Sequence, residues 1–98
     1  YAADHLDCKL VVVLGHNHCG AVEAAIKHDP DGHIKYITDD IREAIKEEKD
    51  EYIATCLNVK HSVKVIEDNT DMKLLEEKGL EVIGAVYHLE DGHVEFLE

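Results

Sequence analysis

The sequence predicts a single α/β domain, spanning residues 1–98, with a small and mostly parallel sheet. Two apolar stretches typical of buried strands, residues 9–14 and 80–89, lie near opposite ends of the chain with helical patterns between them. A right-handed crossover through those helices makes the two strands parallel neighbours. Asp91-Gly92 favours a hairpin turn into a last antiparallel strand. We therefore expect a three-layer α/β fold, with helices on both faces of the sheet and an antiparallel C-terminal hairpin strand.

The N-terminal elements follow from apolar patterning and turn residues. Residues 1–6 have the character of the last turns of a helix. Residues 9–14 form an apolar, β-branched run without alternation, which is typical of a strand buried on both faces. A turn over residues 15–18 leads into a helix over 19–27, and the Asp-Pro-Asp-Gly stretch at 29–32 is a strong turn signal.

The remaining elements are two long helices, one short helix and the two closing strands. Apolar residues recur at helical spacing over 34–45 and again over 52–66. A short helix over 72–78 is followed by Gly79, which suits the left-handed position after a helix end. After the second strand and its turn, residues 94–97 return antiparallel.

The composition excludes several classes of partner. The chain has 98 residues, is 45% hydrophobic and 33% charged, and carries a formal net charge of −12, so it is globular and strongly acidic. Such a surface repels phosphate backbones and anionic lipid, and we therefore expect neither a nucleic-acid nor a membrane partner. No apolar stretch approaches the length of a transmembrane helix.

The cysteines and the chain start give two further expectations. Cys8, Cys19 and Cys56 are an odd count without the spacing of a disulfide framework, which predicts a reducing, cytoplasmic location. The chain starts at Tyr1, so we expect a processed, truncated or engineered product. A domain of this size is marginally stable unless a metal, a partner subunit or further sequence adds to it.

The segment Gly-His-Asn-His-Cys-Gly, residues 15–20, carries the candidate chemistry. Ligands of open α/β sheets bind beyond the carboxyl ends of the strands, where this segment lies. A separation of three residues lets His16 and Cys19 reach one ion, and a helix N-terminus stabilises the Cys19 thiolate. Imidazole and thiolate together favour zinc, and Gly20 leaves the backbone open to a small anion.

An isolated H-x-x-C motif is weak, and its alternative is a turn histidine beside a half-buried thiol. Zinc takes four ligands, whereas His16 and Cys19 supply two. His18 lies in the same turn and is the nearest further candidate, although we expect it to face solvent. We expect Cys56 in the core of its helix and Cys8 at the opposite edge of the sheet from His16.

Three segments resemble β-class carbonic anhydrases. YAADHLDCKLVVVLGHNHCGAVEAAI, residues 1–26, closely resembles the zinc-binding region of that family. NVKHSVKVIEDN at 58–69 resembles its late helix, and GLEVIGAVYHLEDGHVEFL at 79–97 resembles its closing strand and hairpin. The segments occur in the family's order and cover nearly the whole chain.

The resemblance implies a zinc enzyme that reversibly hydrates carbon dioxide to bicarbonate, and a homodimer or larger homo-oligomer. The family holds zinc with two cysteines and one histidine; His16 and Cys19 match the histidine and the second cysteine. Gly20 matches the glycine near which the substrate anion rests. The family's first cysteine and its Asp–Arg dyad belong to a C-x-D-x-R motif, which is absent from these 98 residues. The catalytic residues are therefore unassigned.

The chain thus resembles the C-terminal two-thirds of a subunit, and three functions stay open. The first is zinc-dependent hydration of carbon dioxide, which we expect the 98 residues alone to perform poorly. The second is a non-catalytic, incomplete carbonic-anhydrase scaffold that serves in assembly. The third is hydrolysis of another small carbon or sulfur compound by the same zinc chemistry.

Overall fold

The computed structural model of the chain describes residues 1–28 and 32–97. The predicted turn at 29–32 lies outside the described residues except for Gly32. The elements are, in order, α1 (Ala2–His5), β1 (Leu10–His16), α2 (Gly20–Lys27), α3 (Ile34–Ile45), α4 (Glu51–Glu67), α5 (Thr70–Glu77), β2 (Glu81–Tyr87) and β3 (Val94–Leu97).

The three strands form one mixed sheet in the order β1-β2-β3. β1 and β2 are parallel, with Leu10 opposite Glu81 and His16 opposite Tyr87. β3 is antiparallel to β2, with Val94 opposite Tyr87, and Gly92 in the connecting turn has φ of +78°. The predicted α/β class, the parallel crossover and the antiparallel last strand are confirmed.

Helix α4 packs closely on one face of the sheet because two strand residues lack side chains. A Cβ built on Gly15 lies 2.6 Å from Cγ2 of Val59, and one built on Gly84 lies 2.7 Å from its Cγ1. Real carbon atoms pack at about 3.5–4.0 Å, so either methyl group would collide with the helix. Val59 therefore occupies a notch between β1 and β2.

The opposite face of β1 is open, and the prediction that this strand is buried on both faces is wrong. Leu10, Val12 and Leu14 are 53%, 43% and 55% exposed, and they alternate with half-buried residues along the strand. The apolar run hides this alternation because its outward residues are as hydrophobic as its inward ones. In the described part of the chain no helix covers these three side chains.

One cluster of buried apolar residues lies among the helices. It comprises Val22 and Ala25 of α2, Ile41 and Ile45 of α3, and Ala54 of α4. The predicted helical spacing of residues 34–45 is thus explained by burial of one α3 face. In residues 1–28 and 32–97, no helix combines the length and the apolar character that crossing a membrane requires.

Side-chain caps fix where the two C-terminal helices begin. An Asp50 side-chain oxygen accepts a hydrogen bond from the Ile53 N–H at 2.9 Å, and Asn69 Oδ1 accepts one from the Met72 N–H at 3.1 Å. Each satisfies a donor that the first turn of a helix leaves unpaired.

Candidate functional site

The structure places the three predicted site residues around one strand-to-helix turn. His16 is the last residue of β1, Cys19 is the N-cap of α2, and Gly20 is the first residue of that helix. The turn lies at the carboxyl edge of the parallel pair, where His16 stands opposite Tyr87. The chain direction therefore brings the turn to the edge at which α/β proteins bind ligands.

One hydrogen bond sets the tautomer of His16. Its Nδ1 lies 2.8 Å from the main-chain oxygen of Asn17. A carbonyl oxygen only accepts hydrogen bonds, so Nδ1 carries the proton and the lone pair of the neutral ring is on Nε2. Within the described ranges Nε2 has no hydrogen-bond partner, so it is available to a metal ion.

Cys19 and Gly20 combine a free thiol with open space. Cys19 is half-buried, and its side chain makes no capping hydrogen bond to α2. A Cβ built on Gly20 meets no atom within 4 Å, so a small anion has room to approach the helix N-terminus. The ligand roles of His16 and Cys19 and the anion role of Gly20 stay predictions.

The donors that the described residues bring together do not complete a zinc site. Imidazole nitrogen and thiolate sulfur are the donor types that zinc prefers, and His16 and Cys19 leave both free. Zinc takes four ligands, however, and no group of three or more His, Cys, Asp or Glu side chains in residues 1–28 and 32–97 is arranged to share an ion. The two predicted ligands, His16 and Cys19, thus fall short of the four donors that zinc takes.

The other candidate ligands lie elsewhere or have other partners. The His18 side chain is 65% exposed, and its Nε2 donates to Glu90 Oε1 at 2.8 Å. Cys56 is half-buried in the middle of α4, and Cys8 is exposed ahead of β1, at the other end of the strand from His16.

A polar cluster that the sequence did not predict joins this turn to the turn after β2. Asn17 Nδ2 donates to both carboxylate oxygens of Glu90, at 2.8 and 2.7 Å, and Asn17 Oδ1 accepts the Leu89 N–H at 3.0 Å. The main-chain N–H of Asn17 also donates to the Tyr87 oxygen at 3.3 Å. Hydrogen bonds lower the pKa of Glu90 to about 2. The largest effect comes from the Asn17 side chain, followed by the main-chain N–H of Glu90 itself and the His18 side chain.

An apolar hollow of about 220 Å³ opens beside His16. Leu14, Gly15, His16, Tyr87 and Leu89 line it. These residues contribute almost only carbon to its wall, so a small apolar molecule fits its chemistry better than an ion.

A second polar network ties α4 to the β2–β3 hairpin. Glu95 Oε1 accepts the Tyr52 hydroxyl at 2.5 Å and His88 Nε2 at 3.0 Å. The His88 ring stacks on that of His93, with centroids 4.0 Å apart and planes 7° apart, and His93 Nδ1 lies 2.6 Å from Asp91 Oδ1. The bond to Glu95 raises the pKa of Tyr52.

Comparison with known proteins settles the family. The family model described as carbonic anhydrase matches residues 1–94. The chain belongs to the β-carbonic anhydrase family. A β-carbonic anhydrase of Aspergillus fumigatus, CafA, is 28% identical over 99% of the chain, with a TM-score of 0.84. A structure described among tetrameric β-carbonic anhydrases of Sordaria macrospora is 27% identical over 99% of the chain, with a TM-score of 0.75.

A third β-carbonic anhydrase, CcaA, shares the fold with a TM-score of 0.78 at 20% identity. A search of the curated proteins returned no match. The chain spans 52%, 56% and 55% of the lengths of CafA, the Sordaria protein and CcaA. It thus corresponds to a little over half of these carbonic anhydrase structures.

Proposed function

We propose that this β-carbonic anhydrase chain contributes His16 and Cys19 to a zinc site that reversibly hydrates carbon dioxide to bicarbonate. The observation that carries the proposal is the His16 ring, whose Nδ1 proton is bound to the Asn17 oxygen and whose Nε2 is left free. Cys19 begins the next helix in the same turn. Gly20, with open space around it, is the proposed position for the bicarbonate anion.

The activity we propose belongs to a completed site. Two donors bind zinc weakly, and the Asp–Arg dyad of the family motif is absent from the 98 residues. We therefore assign no proton-transfer step to this chain. The apolar hollow beside His16 supports carbon dioxide as the substrate, because that molecule is small and carries no net charge.

A non-catalytic scaffold is the second candidate function. It is favoured by the absence, within the described residues, of any three-donor group for a metal. Its assembly role is supported by the exposed Leu10, Val12 and Leu14 and by the outer edge of β1, which no described strand pairs. Apolar surface and unpaired strand edges both favour association.

We further propose a homo-oligomer, at least a dimer, in a reducing, cytoplasmic setting. The open face of β1 supports the first part, and the three free cysteines support the second. Sedimentation velocity at micromolar concentration tests the oligomer. A folded monomer across that range contradicts it.

Metal analysis tests the ligand assignment without requiring activity. In the chain extended upstream through a C-x-D-x-R strand and dialysed against limiting zinc, we expect His16→Ala and Cys19→Ala to lose the metal that the unaltered extended chain retains. Cys8→Ala is the matched thiol control, because Cys8 is exposed and lies ahead of β1. A full equivalent of zinc in both ligand variants would refute the assignment.

Enzyme assays separate the two candidate functions. Stopped-flow measurement with a pH indicator compares the 98-residue chain with the same chain extended upstream through a C-x-D-x-R strand, both with zinc. We expect hydration to be slow for the first and at least ~100-fold faster for the second, because a lost thiolate ligand costs more than the ~10–100-fold typical of an outer-shell partner. Two equally slow chains support the scaffold function, and two equally fast chains refute our account of the missing motif.

A further inference from the structure

Two neighbouring turns meet at the carboxyl edge of the sheet. The turn after β1 holds Asn17 and His18, and the turn after β2 holds Leu89 and Glu90. Asn17 and His18 are the two residues that separate His16 from Cys19. Whatever fixes these two residues therefore fixes the relative position of the two candidate ligands.

The turn has a conformation that needs support. His18 has φ of +51°, in the left-handed region that side chains with a Cβ disfavour. Histidine enters this region more readily than most residues with a Cβ, but the conformation still has a steric cost that surrounding contacts offset. The contacts that the structure gives His18 are its Nε2 bond to Glu90 and a longer 3.9 Å approach of its Nδ1 to Glu51 Oε1.

A single carboxylate connects both turn residues to the neighbouring turn. Glu90 accepts from Asn17 Nδ2 through both oxygens and from His18 Nε2 through Oε1, at 2.7–2.8 Å. Bonds to an ionised carboxylate are the stronger kind of hydrogen bond. Oδ1 of the same Asn17 side chain accepts the Leu89 N–H. Both the Nδ2 and the Oδ1 of Asn17 therefore bind residues of the neighbouring turn.

We propose that Glu90 is a positioning residue, which clamps Asn17 and His18 and so fixes the turn that presents His16 and Cys19. The clamp also fixes Leu89, whose side chain lines the hollow beside His16. One carboxylate thus sets both the ligand spacing and one wall of the hollow. The effect on metal binding rests on the proposed function, whereas the effect on the turn does not.

Nuclear magnetic resonance on the metal-free chain tests the clamp itself. In Glu90→Ala we expect the Asn17 side-chain amide to lose protection from exchange. We also expect the scalar couplings and NOEs of His18 to report a backbone φ that is no longer positive. Glu95→Ala is the matched control, because Glu95 is a hairpin carboxylate that binds Tyr52 and His88 and does not contact the turn. An unchanged turn in Glu90→Ala would overturn the proposal.

Cobalt titration of the chain extended upstream through a C-x-D-x-R strand, followed by thiolate-to-cobalt absorption, tests the consequence for the ligands. We expect Glu90→Ala to weaken cobalt binding ~10–100-fold, the usual effect of losing an outer-shell partner. Glu90→Gln should recover part of this, since its amide oxygen still accepts one bond, and Glu95→Ala should not weaken binding. Urea denaturation gives the free energy of unfolding of each variant, so that a loss of cobalt affinity caused by partial unfolding is recognised.

The outcomes distinguish the two proposals. Cobalt affinity in Glu90→Ala equal to that of the unaltered chain would overturn the positioning role. Weakening of the same size in Glu95→Ala would overturn it too, by showing a general structural effect. An unaltered extended chain without the thiolate band would contradict the proposed function, and the resonance measurements on the metal-free chain would still decide the clamp.

Discussion

Replacing Gly84 by alanine should destabilise the chain through one specific collision. The new Cβ would lie 2.7 Å from Cγ1 of Val59 and 3.4 Å from Cγ2 of Val63. The first distance is about 1 Å below normal carbon contact, and Val59 is 3% exposed, so its stiff side chain has no open space into which it can move. Overpacking of this kind costs about 1–3 kcal/mol, while the smaller entropy of the unfolded alanine chain returns about 0.4–1 kcal/mol.

We therefore expect Gly84→Ala to lower the free energy of unfolding by about 1–2 kcal/mol, measured by urea denaturation followed by circular dichroism. Val59→Ala alone should cost about 2 kcal/mol, because it removes two buried methyl groups and leaves a cavity. In the double variant the methyl group added at position 84 enters the vacated space. The two losses should then fall short of additivity by about 1 kcal/mol or more.

Gly20→Ala is the matched control for the glycine substitution. Its new methyl meets no atom within 4 Å, and alanine has the higher helix propensity at the start of α2. We expect its unfolding free energy to stay the same or rise by up to about 1 kcal/mol. The predicted collision is refuted if Gly84→Ala has the same free energy of unfolding as Gly20→Ala. It is also refuted if the free-energy changes of Gly84→Ala and Val59→Ala are additive in the double variant to within about 0.5 kcal/mol.

Three further measurements test local contacts. Asp50→Ala removes the cap of α4 and should cost about 1 kcal/mol in urea unfolding; an unchanged midpoint contradicts the cap. The hydrogen bond to Glu95 raises the pKa of Tyr52, so Tyr52 should be the last tyrosine to ionise in an alkaline absorbance titration. The Tyr52→Phe chain should lack this last ionisation step, and a step that persists contradicts the assignment. Hydrogen bonding, chiefly from Asn17, lowers the pKa of Glu90 from 4.5 to about 2, so its stabilising effect is present above pH 4.5 and lost as the pH falls towards 2. Glu90→Gln should flatten that acid loss, and an identical pH profile for both chains contradicts it.

The sequence is sufficient for those elements whose signals are local. The helical spacing of residues 34–45 and the Asp-Gly turn at 91–92 depend on neighbours within a few positions, and the structure has α3 and the hairpin there. The open face of β1 is different. Leu10, Val12 and Leu14 are apolar and exposed, and hydrophobicity along one strand does not report whether a second layer covers it.

The site divides in the same way. His16 and Cys19 are three residues apart, so a local motif identifies them as candidates. The structure has them at the two ends of one turn, and their ligand roles stay predictions. The Asn17–Glu90 contact spans 73 positions and could not be predicted, because no periodicity relates two polar residues on different turns. Asn17 itself carries a weak signal, since asparagine favours turns, but nothing local indicates its partner.

The location of the buried core explains why such a long-range contact matters at this site. One buried cluster joins Ala25, Ile41 and Ala54 of three helices, and Cys19 packs against it where α2 begins. The strand side belongs to β1, whose outer residues are exposed and whose outer edge no described strand pairs. His16 thus ends a strand whose inner face packs on α4 and whose outer face is open, whereas Cys19 packs against the helix cluster. The Glu90 carboxylate binds Asn17 and His18, the two residues between the candidate ligands, and so restrains the distance between His16 and Cys19. For this reason we expect Glu90 to affect metal binding although its side chain is exposed.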